Sequence, residues 1–159
     1  MQGIIGLLPE VENEEFRTIG YTIGGMMVFP GNTIDGKQTL NGARGFARKI
    51  ADRFDLTLEC IRRHYRSEES PLGDVLKRYG AFFSLFGNFR GYVDFFLLQD
   101  LVVDGSEDVK SFMHFDNFTT PAVPKDVDTY REYRQQSIAF VRARNRRIDQ
   151  VSRALPLQF

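Results

Sequence analysis

Cys60 and His64 stand four residues apart in ECIRRHY, a spacing that puts both on one side of a helix. A thiolate beside an imidazole can act as nucleophile and base, and the same two groups can hold a metal. The chain has only one other histidine, His114, so a zinc site would have to be completed by carboxylates. No metal is expected. Free cysteine is commonly a small buried hydrophobe, and Cys60 is read that way. His64 is kept as the candidate catalytic residue, a proton carrier close to several arginines.

GNTIDGKQT, residues 31–39, comes close to a phosphate-binding loop. Gly31, Gly36 and Lys37 fall where such a loop needs them, but Gln38 occupies the hydroxyl position and Thr39 comes one residue late. Asp35 would place a carboxylate inside an anion cradle, where it repels phosphate. The stretch is therefore expected to be a turn with Asp35-Gly36 at its tip and Lys37 in solvent. Such a turn would deliver Asn41 and Arg44 to the start of a basic helix. Asn41, Arg44, Arg62 and Arg63 are the candidate substrate-binding residues, because guanidinium forks suit phosphate and carboxylate. The bland alternative is a solvated helix face whose charges pair with one another.

Near the C-terminus, VRARNRRIDQ supplies Arg142, Arg144, Arg146 and Arg147, the candidate nucleic-acid-binding set. Twenty-one basic residues balance twenty-one acidic ones, and a dedicated nucleic-acid binder is usually basic overall. Charge thus favours a surface helix whose arginine stems cover apolar neighbours. Asp94 and Asp100 lie in the most apolar segment, where acids need partners.

The elements that must position these groups follow from periodicity. Half of the fourteen glycines fall between residues 17 and 45, with β-type segments RTIGYTIGG and MMVFP, which predicts one or two strands with glycine-tolerant bends. Phe46, Ile50, Phe54, Leu58, Ile61 and Tyr65 recur at helical steps. Ser70-Pro71 reads as a helix start for a second run ending near Gly87, and FRGYVDFFLLQDLVV as a central helix. From Asp126 to about Ala154 the spacing predicts one long helix. The fold class expected is α+β and mainly helical: a small glycine-rich N-terminal β part packed on a helical bundle with a long C-terminal helix. At 159 residues this fits a single domain, 1–159. Fifteen Phe, six Tyr and no Trp imply a core of flat rings around FFSLF and YVDFFLL, with aromatic surface left over for a partner.

One cysteine excludes an internal disulfide, and MQGIIGLLPE lacks the basic and apolar regions of a secretory leader. The longest apolar run carries two Asp and is too short to span a bilayer, so a soluble cytoplasmic protein without a membrane partner is expected.

TIGGMMVFPGN, NGARGFARKIADRFDLTLECIRRHY and SPLGDVLKRYGAFFSLFGNFRGYVDFFLLQDLV, continued by VDTYREYRQQSIAFVRARNRRI, together resemble an uncharacterised bacterial family, a domain of unknown function. The resemblance covers most of the chain. It implies a bacterial cytoplasmic protein, and it implies that this chain lacks the N-terminal part of longer members. It transfers no activity, cofactor or catalytic residue. Two functions remain open. One is a binding or interaction domain using aromatic and arginine-rich faces against a macromolecule, with self-association included. The other is an enzyme acting on a phosphate-bearing substrate, nucleotide or RNA, through an Arg/His site beside the glycine-rich loop.

Overall fold

The computed structural model describes residues 2–155, so Met1 and residues 156–159 of the expected 1–159 domain lie outside it. The described residues form eight α-helices, two short 3-10 turns and two isolated β-bridges, Ile34–Lys37 and Val102–Val109. They contain no β-strand, which overturns the α+β expectation: the fold is mainly helical and has no glycine-rich β part. Two compact units result, one of residues 1–26 with 124–159 and the other of residues 27–123.

In the first unit the segment read as strands is helix and 3-10 turn. Helix α1 (Gln2–Ile5) and helix α2 (Glu10–Gly20) pack on helix α8 (Val127–Ala154). A 3-10 turn at Ile23–Gly25 follows. Gly24 and Gly25 there serve close approach rather than strand bends. A methyl group at Gly24 would stand 2.5 Å from Asn145 Oδ1 and 2.7 Å from the Val141 carbonyl oxygen. The turn is tied down by hydrogen bonds: Gly24 N–H donates to Asn145 Oδ1 at 2.8 Å, and Asn145 Nδ2 donates to Thr22 Oγ1 at 2.8 Å. The long helix begins where the sequence places it, with Asp126 accepting from Thr129 N–H as its N-cap.

In the second unit the expected helical runs are each interrupted. Helix α3 (Leu40–Phe46) is capped by Thr39, whose hydroxyl accepts from Gly42 N–H at 3.2 Å. Ala51 and Asp52 then take left-handed conformations (φ 50° and 56°), so the apolar series from Phe46 cannot be one helix. Helix α4 (Phe54–Tyr65) resumes it and is buried from Phe54 through Ile61. Helices α5 (Gly73–Arg78) and α6 (Gly80–Ser84) replace the single helix expected after Ser70-Pro71. Gly87, at φ 76°, marks the stop that the sequence signals. Helix α7 (Phe89–Phe95) starts from Asn88, whose side chain accepts from Gly91 N–H, and gives way to a 3-10 turn at Gln99–Leu101. The core holds Leu58, Ile61, Leu76, Phe83, Tyr92 and Leu98, each almost fully buried.

Candidate functional site

The charged groups of α4 are consumed inside the second unit. Asp55 is wholly buried; the Arg53 guanidinium forks onto it, and Phe112 N–H donates to its Oδ2 at 2.8 Å. One turn on, the buried Glu59 accepts from two arginines. Arg62 Nε donates to Oε2 at 2.9 Å and Nη2 to Oε1 at 3.0 Å, while Arg63 Nε donates to Oε1 at 2.8 Å. Arg63 also donates to the Glu69 carbonyl and to Asn117 Oδ1, with its guanidinium 4.9 Å from the centre of the Phe118 ring. A guanidinium so engaged has few N–H groups left for a phosphate.

Asn41 and Arg44 do come together. Arg44 is buried and donates from Nη1 to Asn41 Oδ1 at 3.0 Å and from Nε to Thr57 Oγ1 at 2.9 Å. Asp52 approaches Nη2 at 3.3 Å, and the Phe29 ring lies beneath the guanidinium. The loop before them is a tight turn. Asp35 and Gly36 both have positive φ (53° and 64°), and Lys37 N–H donates to the Ile34 carbonyl at 3.0 Å, the geometry of a type I′ turn. Lys37 is exposed at its edge.

His64 has a different environment. Its ring packs on Phe83 and Tyr65, with centroids 5.2 and 5.8 Å away, beside an open cleft of about 440 Å³ bounded by Ser70, Asp74 and Lys77. Burial, and secondarily the charge of Lys77, lower its pKa below the ordinary 6.5. Arg44, Arg62 and Arg63 are not among the residues lining that cleft. The candidates thus fall into three places: Asn41 with Arg44, Arg62 with Arg63, and His64 by itself. Cys60 is buried, and its thiol is pushed up to about 12, chiefly by that burial, so it is no nucleophile at neutral pH.

On α8, Arg144 is buried and donates to the carbonyls of Gly24 and Met26 at 3.1 and 2.7 Å. Arg142 pairs with Glu15 at 2.8 Å. Arg134, which the sequence did not single out as a site residue, is buried between Glu12 and Glu15. Arg146 is exposed and Arg147 half-buried. The acidic start of the chain and the basic helix therefore neutralise each other within the first unit.

Part of what remains open to solvent is aromatic. Around α6 and α7, Phe82, Phe86, Phe95 and Phe96 form a connected set of rings: centroid separations are 5.3 Å for Phe82–Phe86, 5.0 Å for Phe86–Phe95 and 5.0 Å for Phe95–Phe96. Phe83 and Tyr92 form the buried side of the cluster, whereas Phe95 is 69% exposed and Leu85 78% exposed. FFSLF and FFLL contain more apolar groups than helices this short can turn inward, and that excess was the legible signal. Charge is sparse here: Arg90 and Asp94 are the charged residues of α7. Arg90 also borders a cavity of about 200 Å³ floored by Phe89, Val93 and Val102.

These features define a mainly helical protein in which Arg44, Arg62, Arg63, Arg142 and Arg144 are engaged within the chain and part of the exposed apolar surface is built of rings. The chain belongs to a family of unknown function, DUF6994, which matches residues 1–148. No curated protein and no solved structure matches it. Among the described residues no helix is long and apolar enough to cross a membrane, and no group of three His, Cys, Asp or Glu could hold a metal ion.

Proposed function

We propose that this chain is a bacterial cytoplasmic interaction domain that docks another protein through the ring surface of α6 and α7. The carrying observation is the exposure of Leu85 and Phe95 next to rings that are themselves only half-buried. Scattered exposed apolar residues are ordinary, but a contiguous aromatic patch with few charges has the composition of an interface core. Aromatic anchors of this kind dominate binding energy where they are desolvated. Nothing comparable favours a phosphate-bearing substrate, since Arg44, Arg62 and Arg63 already donate to protein acceptors.

The reading is tested by placing a photo-crosslinking amino acid at position 85 and irradiating living cells. A discrete adduct that Phe95→Ser abolishes is the expected result. No adduct, or one indifferent to Phe95, would sink the proposal.

A further inference from the structure

We infer that the cavity between α7 and the loop at residues 102–109 binds a single free α-amino acid with an apolar side chain. This site is independent of the docking surface, since it uses Phe89, Arg90 and Val93 of α7 rather than Phe95.

The walls are set by local structure. Val102 bridges to Val109, and Val103 N–H donates to the Asp108 carbonyl at 2.8 Å. Gly105, at φ 75°, turns the chain between them. Ser106 closes the turn: its hydroxyl donates to Asp108 Oδ2 at 3.1 Å and accepts from Asp108 N–H at 2.9 Å. On the facing wall, Phe89 and Val93 lie one helical turn apart on the buried side of α7. The enclosed space is about 200 Å³, the liquid volume of about seven waters. That admits one amino acid and is too small for a nucleotide.

Side-chain groups at this cavity lack partners among the described residues. Gln99 Nε2 donates to Asp94 Oδ1 at 3.1 Å, which fixes the orientation of the amide. Gln99 Oε1 is thereby left buried without a donor, a costly state that a bound donor would relieve. Arg90 and Asp104 also line the cavity, and both are exposed, so they stand at its rim. Neither side chain makes a hydrogen bond or ion pair among the described residues, with the other or with any third group. Glu107, a second acid on the wall, is shared with Arg66 at 3.9 Å.

Opposite charges that border one cavity without touching restrict what can occupy it. An inorganic anion would be repelled by Asp104 and Glu107, and a metal cation by Arg90. A zwitterion satisfies both signs. Its carboxylate takes the Arg90 fork, and its ammonium group donates to Asp104 and to Gln99 Oε1. The apolar side chain then lies on Phe89, Val93 and Val102, out of water. A peptide terminus carries only one of these two charges, and its adjoining residues exceed the volume.

The experiment titrates the full chain calorimetrically with L-leucine and with its two halves: isocaproate, which lacks the ammonium group, and isopentylamine, which lacks the carboxylate. L-leucine is expected to bind, and each half to bind at least about 10-fold more weakly. Arg90→Gln is expected to reduce leucine to the affinity of isopentylamine, and Asp104→Asn to reduce it to that of isocaproate. Both side chains are exposed and unpartnered, so these variants keep the fold. No binding of L-leucine by the wild type at millimolar concentration would overturn the assignment. So would a half that binds as tightly as leucine, or leucine binding that neither variant weakens.

Discussion

Helix α4 and the α6–α7 surface lie in the same unit and treat their side chains in opposite ways. Along α4 even the charges are interior: Asp55 and Glu59 are buried, and each is met by guanidinium groups. Around α7 some of the rings are exterior, with Phe95 more exposed than buried while Phe89 and Tyr92 lie in the core. A buried carboxylate must be matched inside the chain, since an unmatched one costs several kcal/mol. An exposed ring faces no such requirement, so it is available for a second surface. Internal pairing is thus concentrated where the sequence looks chemical, and exposed apolar surface where it looks merely hydrophobic.

The largest effect that can break this contrast is at Asp55. Asp55→Ala removes the carboxylate that Arg53 forks and the acceptor for Phe112 N–H, and a loss of about 3–5 kcal/mol is expected in urea unfolding. A loss below about 1 kcal/mol would mean that α4 charges are solvated, as on an ordinary helix face.

The next effect is in the other unit and bears on what the sequence hid. Gly24→Ala must displace Asn145 or the α8 backbone at Val141, and about 1–3 kcal/mol of destabilisation is expected. Glycines 20, 24 and 25 had suggested bends in strands, because close packing and strand flexibility leave the same residue in the sequence. For Gly24 only the partner across 121 positions tells them apart, here Asn145. By contrast, the long helix at 127–154, the Asp35-Gly36 turn and the stop at Gly87 were legible, since each depends on neighbours in sequence. The single helix read from Phe46 to Tyr65 failed because Ala51 and Asp52 bend the chain, and neither residue announces a positive φ. For the candidate site, proximity of Asn41 to Arg44 and of Arg62 to Arg63 followed from helical spacing. Their engagement by Thr57 and Glu59 did not, because the sequence gives charges but not which of them turn inward.

A smaller effect reads the end of α4, where it passes from interior to surface. Burial is the main cause of the lowered His64 pKa and Lys77 the lesser one, so Lys77→Gln is expected to raise it without bringing it back to 6.5. Imidazole NMR titration measures this directly. The sign for stability follows: as pH falls below 6.5 the unfolded chain takes up the proton first, and folding weakens until the folded ring also titrates. A His64 pKa at or above 6.5 in the wild type would place the ring in solvent and remove it from the aromatic packing with Phe83.

The smallest expected effect is the one that separates the two regions most cleanly. Leu85→Ser is expected to change unfolding free energy by no more than about 0.5 kcal/mol, because a side chain already in water loses little on truncation. The same substitution is expected to weaken association measurably, since Leu85 and Phe95 are the most exposed apolar groups of the surface. A residue that matters to association and not to folding belongs to an interface. If Leu85→Ser instead lowered stability by about 2 kcal/mol with association unchanged, the surface would be part of the core, and the contrast with α4 would collapse.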